Sequence, residues 1–331
     1  MEDFNSFSPY EIIEKIKGSL SSNIVGQLPL IESILMCFIA GGHVLIEGLP
    51  GLAKTLTSKT FASLFNLSFK RIQFTPDLLP SDLIGTLVFL QKKARFSFRR
   101  GSLFANIVLL DEINRSPSKV QSALLEAMEE KHVTIGRKTY PLPFPFFVLA
   151  TENPIEEEGT YPLSEAQKDR FLMKMLLDYP TKEEELTILD KVSNSFFDNE
   201  CVQNEKNGPL FNLDIVLSLK KAASKVVISK EVSQYIVSIV CATRPDRLKE
   251  KNSSYLSYIE FGASPRASIA LHSLSKIKAL FENRDYVIPS DVKELSFPVL
   301  RHRLRLSYEA IADGVSCESI IKTILDLIPQ P

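Results

Sequence analysis

Short runs of consecutive apolar residues alternate with longer helical patterns in the first half of the chain. Apolar runs at 43–47, 107–110 and 146–150 are typical of parallel strands that are covered on both faces. Between them, residues 54–67 and 119–131 carry apolar side chains at three- and four-residue steps, as helices that cross over a sheet do. This half of the chain is therefore predicted to be an α/β domain with a parallel sheet.

The pattern differs in the second half. One more helix is predicted at 181–192, and the polar segment 193–209, rich in Asn, Asp and Glu, is typical of a linker. Beyond it the apolar spacing is helical, with few candidate strands. Helices are predicted at 213–226, 229–242, 265–281, 290–295 and 316–327. The sequence thus predicts an α/β domain over 1–192 and a small all-α domain over 210–331.

Composition narrows the class of protein. Among 331 residues, 39 Lys and Arg balance 40 Asp and Glu, so no global charge attracts nucleic acid or anionic lipid. The cysteines are scattered without paired spacing, which argues against a disulfide framework or a structural zinc site. The first residues are acidic and polar, and the longest apolar stretch, 28–46, is interrupted by Pro and Gly. We expect a soluble, cytoplasmic protein.

The clearest chemical motif follows the first predicted strand and opens a helix. It fits the phosphate-binding pattern GxxxxGK[ST], with Ala53 in place of the second Gly. Backbone N–H groups of such a loop surround phosphates, Lys54 reaches the outer phosphates, and the Thr55 hydroxyl binds Mg²⁺. The alternative is an ordinary strand–turn–helix junction. The predicted nucleotide-binding residues are Gly48, Leu49, Pro50, Gly51, Leu52, Ala53, Lys54, Thr55 and Leu56.

Polar residues also follow the other two apolar runs. Asp111 and Glu112 end the second run, where Asp111 would hold Mg²⁺ and Glu112 would polarise an attacking water. Asn153 follows the third run and could lie between the γ-phosphate and that water. Each signal alone has a simpler explanation, a solvated strand end or a turn. Arg170 and Arg266 complete the set, and each alone is more typical of a surface ion pair.

Taken together, these elements follow the order of one known design. The chain resembles the AAA+ ATPases, and at the level of whole phrases it resembles the MoxR family, over about residues 24–310. The departure is Glu152, where relatives often have Gln. The phrases are 48–55 (GLPGLAKT), 74–82 (FTPDLLPSD), 111–117 (DEINRSP), 121–128 (QSALLEAM), 150–154 (ATENP), 157–163 (EEGTYPL), 169–173 (DRFLM) and 262–267 (GASPRA).

The resemblance implies a role for each motif. Lys54 and Thr55 correspond to Walker A, Asp111 and Glu112 to Walker B, and the fold would be an AAA+ P-loop core followed by a helical lid. ATP and Mg²⁺ are the implied ligands. The segment Ile24, Val25 and Gly26 lies where relatives hold adenine, although it could equally be a plain helix entry.

Three further positions match the family's motifs. Asn153 matches sensor 1, and Arg266 matches sensor 2. Arg170 matches the arginine finger, which in this family serves the nucleotide of a neighbouring subunit. A finger of that kind implies a homo-oligomeric ring, typically a hexamer, because one subunit cannot complete its own site.

Two segments are predicted to be hairpins. Residues 87–105 alternate and include Lys92, Lys93 and Arg100, which favours a hairpin with a basic face. The segment resembles the helix-2 insert of this clade, which would face the central channel of a ring; a solvated edge hairpin is the alternative. A second hairpin is predicted at 131–143.

The leading functional hypothesis is a chaperone-like ATPase that remodels or matures protein partners. The resemblance points to clients with von Willebrand factor A domains and to metal-cofactor insertion or complex assembly. A metal-chelatase motor subunit has a similar core and is an alternative. A nucleic-acid motor is disfavoured by the net charge of -1. A nucleotide-binding switch without turnover would need neither Glu112 nor Arg170.

Overall fold

The computed structural model describes residues 7–48, 52, 54–153, 160–197, 210–245 and 254–331. The strands are β1 (Val44–Gly48), β2 (Phe69–Gln73), β3 (Gly85–Leu90), β4 (Arg95–Arg100), β5 (Ile107–Asp111), β6 (His132–Ile135), β7 (Lys138–Pro141), β8 (Phe147–Glu152), β9 (Met173–Leu177), β10 (Ile259–Phe261) and β11 (Arg305–Leu306). The helices are α1 (Pro9–Ser21), α2 (Leu28–Ala40), α3 (Lys54–Leu64), α4 (Pro80–Ile84), α5 (Ser118–Glu130), α6 (Glu165–Lys168), α7 (Lys182–Phe197), α8 (Leu213–Lys225), α9 (Lys230–Ala242), α10 (Pro265–Phe281), α11 (Pro289–Leu300), α12 (Tyr308–Ala312) and α13 (Cys317–Leu327).

A five-stranded sheet in the order β2-β5-β8-β1-β9 forms the centre of the first half. Each pair of neighbours is parallel. The predicted α/β core is therefore confirmed, and the three apolar runs are its central strands. The two edge strands, β2 and β9, are not predicted by those runs because only one residue in each, Ile72 and Met173, is buried.

Alternate residues of the central strands face two separate apolar cores. Val44 and Ile46 point to the core that includes α1, α2 and α3. Leu45 points to the opposite core, which includes α5. This alternation follows from the two-residue period of a strand. Both faces of the sheet are covered, so its functional groups are confined to the strand ends and loops.

The second half is helical, as predicted. Helix α10 spans the predicted residues, whereas α11 extends five residues beyond the predicted Leu295, across Pro298. Strands β10 and β11 form a small antiparallel pair. Helix α7 continues five residues past Val192, and residues 198–209 of the predicted linker lie outside the described residues. Helix α2 packs against α10 and α8, so the helical part is joined directly to the sheet domain.

Both predicted hairpins are present. Strands β3 and β4 pair in register from Gly85 with Arg100 to Leu90 with Arg95, and β6 pairs with β7. The rings of Phe98 and Tyr140 stack with their centroids 4.1 Å apart and so connect the two hairpins. No helix in the described part of the chain has the length and apolar character needed to cross a membrane.

Candidate functional site

A cavity of about 380 Å³ lies at the carboxyl ends of the central strands. In a parallel sheet these ends lie at one edge, where open α/β sheets bind ligands. The start of α3 also borders the cavity, so a helix N-terminus faces it. The lining residues are Gly48, Leu52, Lys54, Thr55, Leu56, Arg71, Gln73, Asp111, Glu112, Thr151, Glu152 and Asn153.

Lys54 is the first residue of α3, and its side chain reaches back to the end of β1. Its Nζ donates a hydrogen bond of 2.5 Å to the carbonyl oxygen of Gly48. Burial lowers the pKa of Lys54, and the nearby carboxylates of Asp111, Glu112 and Glu47 oppose that shift. The ammonium group is therefore held at the carboxyl end of β1. The predicted loop residues Leu49, Pro50, Gly51 and Ala53 lie outside the described residues.

Asp111 ends the buried strand β5 and is itself buried. Its Oδ2 accepts a 2.5 Å ion-paired hydrogen bond from Arg71 Nε. A buried carboxylate and the hydroxyl of Thr55 bordering one cavity are oxygen donors of the kind that Mg²⁺ prefers. These two predicted metal-binding residues therefore fit Mg²⁺ chemically.

Glu112 adopts a left-handed conformation, with φ of 58°. A non-glycine residue in that region is unfavourable by roughly 1 kcal/mol or more and persists only where its surroundings hold it. Its N–H donates to Thr151 Oγ1 at 3.0 Å, and its Oε2 accepts from Gln73 Nε2 at 2.6 Å. Arg115 Nε lies 3.3 Å from the same oxygen. The carboxylate is thus fixed in direction at the cavity wall.

Arg71 and Gln73 hold the two acids but are not among the predicted site residues. Both lie on edge strand β2, where Gln73 pairs in register with Asp111. Residues two apart on a strand face the same side. The contacts of Arg71 and Gln73 with the two acids therefore depend on the pairing of β2 with β5, which no sequence motif indicates.

Asn153 follows β8 directly and is buried at the cavity wall. The preceding Glu152 lies 3.8 Å from Lys174 Nζ, which also forms a 2.5 Å ion pair with Glu47. Burial raises the pKa of Glu152, while Lys174 acts to lower it. Glu152 is therefore part of a charge cluster along the sheet edge, and Asn153 is the uncharged group beside it.

The predicted adenine-binding segment lies between α1 and α2. Ile24 is buried in the apolar core, and Gly26 has φ of +73°. This positive φ favours glycine; the Cβ of any other residue would also lie 2.6 Å from the carboxyl carbon of Glu184, whose flexible side chain would have to move. Within the described ranges, Ile24, Val25 and Gly26 do not line the cavity that holds Lys54. Their role in binding adenine stays a prediction.

The two predicted arginines lie together in a second cavity of about 260 Å³. Arg170 Nη2 is 3.1 Å from Glu129 Oε2, and Arg266 Nη2 is 2.5 Å from Glu129 Oε1. Arg303 and Asp169 also line this cavity, as does His43, whose pKa burial lowers to about 4. His43 is therefore neutral at pH 7, and three guanidinium groups face two carboxylates. The cavity keeps a net positive charge suited to an anion.

The two cavities lie at opposite ends of β1. His43, in the second cavity, precedes the strand, and Gly48, in the first, ends it. At ~3.3 Å per residue these two residues are ~16 Å apart. Arg170 likewise lies three residues before β9, which runs parallel to β1. The structure therefore brings Arg266 to Arg170 and separates both from Lys54.

Comparisons with known proteins identify the family of the chain. Residues 43–173 match the ATPase family associated with various cellular activities (AAA), and residues 257–324 match the AAA lid domain. Over 309 residues the chain is 46% identical to the chaperone MoxR1 of Mycobacterium tuberculosis, covering 93% of this chain and 79% of that protein. It is 40% identical over 328 residues to YeaC of Bacillus subtilis, covering 97% and 96%.

A solved structure supports the same comparison. The crystal structure of a candidate ATPase from Cytophaga hutchinsonii superposes with a TM-score of 0.87 at 46% identity. The match covers 98% of this chain and 96% of the other. Together with the two domain matches, it confirms the predicted fold, a parallel-sheet core followed by a helical lid.

Proposed function

Because this chain belongs to the MoxR family of AAA+ ATPases, we propose that it hydrolyses Mg²⁺-bound ATP within a ring of identical subunits and uses the reaction to remodel protein clients. The observation that carries this proposal is the separation of the arginine pair from Lys54 by the length of β1. Neither arginine is positioned to serve its own subunit's phosphates. A neighbouring subunit whose second cavity faced the first cavity of this one would supply both arginines.

Within one subunit, the first cavity supplies binding and proton transfer. The Lys54 ammonium and the N-terminus of α3 attract the phosphates. Thr55 and Asp111 would hold Mg²⁺, which neutralises charge on the phosphate oxygens when bound. Glu112, held by Gln73 and Thr151, accepts a proton from the attacking water, and Asn153 orients that water.

Between subunits, the second cavity supplies charge. Arg170 and Arg266 would exchange their shared carboxylate, Glu129, for the γ-phosphate of a neighbour. Guanidinium groups suit this role because they bind phosphate oxygens in a fixed planar geometry. A closed ring, most simply a hexamer, gives every nucleotide such a neighbour.

Dilution tests the shared site. We expect the ATP hydrolysis rate per subunit to rise with protein concentration, because assembly must precede completion of each site. Steady-state phosphate release should be measured across the assembly range, with oligomer size followed by light scattering. The Lys54→Ala variant is the control for background hydrolysis. A rate strictly proportional to subunit concentration down to the monomer would contradict the shared site.

The hairpin of β3 and β4 is the surface that we propose contacts the client. Phe89 and Phe96 pair across its strands with ring centroids 5.2 Å apart, and they are 50% and 66% exposed. Between residues 83 and 110 the chain has no acidic residue, and the exposed bases are Lys92, Lys93, Arg95, Arg99 and Arg100. Exposed aliphatic side chains, Leu87, Val88 and Leu90, accompany the rings. An unfolded acidic segment with apolar residues complements this surface.

We expect the double substitution of Phe89 and Phe96 by Ser to weaken client-stimulated ATPase activity and to spare the basal rate. Loss of exposed aromatic contacts costs over ~1 kcal/mol, so the half-maximal peptide concentration should rise about tenfold. The probe is a synthetic peptide rich in Glu, Leu and Phe. Tyr308→Ser, which removes an 84% exposed ring from the helical domain, is the matched control. Equal stimulation of both variants, or stimulation by single-stranded DNA alone, would refute this surface.

The resemblance to the MoxR family extends the proposal to the client's identity. We propose a cytoplasmic protein client that carries a von Willebrand factor A domain, with metal-cofactor insertion or complex assembly as the outcome. Pull-down with the Glu112→Gln variant, in which ATP stays bound, is the direct test. Recovery of partners without that domain would refute this part and leave the ATPase proposal intact.

A further inference from the structure

One carboxylate connects the two arginines of the second cavity to the helical domain. Asp169 immediately precedes Arg170, and its Oδ1 accepts a 2.7 Å hydrogen bond from Arg303 Nε. Its Oδ2 accepts a 2.8 Å hydrogen bond from the hydroxyl of Ser264. Ser264 caps the N-terminus of α10 by accepting from the N–H of Arg266 at 3.1 Å. Asp169 therefore adjoins Arg170 in the chain and, through Ser264, contacts the start of the helix that carries Arg266.

Arg303 follows α11 and is almost completely enclosed, with 2% of its side chain exposed. Beyond Asp169 Oδ1, its Nη groups donate to the carbonyl oxygens of Asp169, Phe171 and Leu172, and of Val299 within its own domain. These contacts use all five N–H groups of a guanidinium. His302 Nε2 also lies 3.0 Å from the Phe171 carbonyl oxygen. The helical domain thus holds the backbone on both sides of Arg170.

The contacts of Arg303 fix both the position and the orientation of the backbone segment 169–172. A guanidinium is planar, so donors that reach three carbonyls and a carboxylate of one short segment hold that segment in a single orientation. A buried charge pair is by itself a poor source of stability compared with apolar packing. The geometry of the Arg303–Asp169 pair is therefore better explained by a role in orienting Arg170, which lies between those carbonyls in the chain.

We infer that Asp169 and Arg303 are positioning residues for Arg170 and Arg266. They make the helical domain and the arginine pair move as one unit, so a shift of the helical domain in one subunit changes hydrolysis in the next. This inference rests on the proposed ATPase site shared between subunits. Through these two residues the helical domain would regulate the shared site without itself contacting the nucleotide.

Single substitutions give the first test. Misplacement of a group by about 1 Å can cost 10²-fold in rate, so we expect Arg303→Met to lower kcat about 10²-fold and to keep ATP affinity within about twofold. Arg303→Lys keeps the charge but offers one donor atom, and should fall between Met and wild type. Asp169→Asn is a milder variant if Arg303→Met fails to fold. The matched control is Arg301→Met, because the Arg301 guanidinium pairs with Glu318; we expect its kcat to be normal.

Equimolar mixing of inactive variants shows on which side of the shared site the junction acts. Arg303→Met subunits keep Glu112, and Glu112→Gln subunits keep an intact arginine pair. We expect this mixture to recover as much ATPase activity as the reference mixture of Arg170→Ala with Glu112→Gln. A mixture of Arg303→Met with Arg170→Ala should remain inactive, since both lack a functional arginine pair.

Other outcomes overturn the inference. Recovery in the mixture of Arg303→Met with Arg170→Ala would mean that the junction serves its own subunit's nucleotide. Failure of both Arg303→Met mixtures while the reference mixture recovers would mean that Arg303 serves folding alone. If the reference mixture itself stays inactive, the shared site is refuted and the inference falls with it. A normal kcat in folded Arg303→Met would also refute it.

Discussion

Replacing Glu112 with Gln is expected to lower the ATP hydrolysis rate about 10³-fold while ATP still binds. A positioned general base contributes 10²- to 10⁴-fold, and the amide cannot accept the proton of the attacking water. Gln fills nearly the same volume, so Lys54 and the cavity wall stay in place. The loss corresponds to about 4 kcal/mol of transition-state stabilisation. Phosphate release at saturating ATP and equilibrium binding of ATP, measured on the same preparation, separate the two effects.

Glu152→Gln is the matched control for this substitution. Glu152 borders the same cavity, but its carboxylate faces Lys174, which keeps its shorter ion pair with Glu47 when Glu152 is replaced. We expect its hydrolysis rate to stay within about threefold of wild type, as for loss of one weak ion pair. A large loss in Glu152→Gln with little loss in Glu112→Gln would show that Glu112 is not the general base.

The sheet could be predicted from sequence only where its strands are buried on both faces. Strands β1, β5 and β8 each begin with at least three consecutive apolar residues because helices cover both sides of the sheet there. Strand β2 has the sequence FKRIQ, in which only Ile72 is buried. An edge strand of this kind has no periodicity that separates it from a loop. Its position follows from its neighbour β5, a contact that the sequence alone does not contain.

The same limit applies to the site. That Lys54, Asp111 and Glu112 lie at one cavity could be predicted because each stands in a motif at the end of a recognisable strand. Arg71 and Gln73 act through the register of β2 with β5, so their role emerges only in three dimensions. The role of Arg303 is harder still to predict, since an arginine side chain is usually exposed to solvent. Its enclosure depends on two domains meeting at residues 169–172.

Arg266 shows the difference between a role and a location. Its match to a family motif predicts a role in nucleotide chemistry, but the match does not say which subunit's nucleotide is involved. The structure places it on Glu129 beside Arg170, because Ser264 ties the start of α10 to Asp169. The helical domain therefore reaches the amino-terminal edge of the sheet, opposite the edge that carries Lys54.

Arg170→Ala is expected to lower ATP hydrolysis about 10³-fold or more and to leave the ATP affinity of each subunit nearly unchanged. An arginine that stabilises charge on the transferring phosphoryl group contributes 10³- to 10⁵-fold. Binding should persist because Lys54 and the N-terminus of α3 are contributed by the subunit that holds the nucleotide. Steady-state hydrolysis and ATP titration, both at a concentration where the wild type is assembled, measure the two quantities.

Lys168→Ala tests whether position or charge causes that loss. Lys168 lies two residues before Arg170, and its ion pair is with Glu165 at 3.6 Å within the same short helix. Its removal changes the net charge by the same amount but leaves the pair on Glu129 intact, so we expect hydrolysis within about threefold of wild type. Equal losses in the two variants would indicate general electrostatic attraction of ATP. Loss of ATP binding in Arg170→Ala would instead place the arginine in its own subunit's site, which the ~16 Å between His43 and Gly48 argues against.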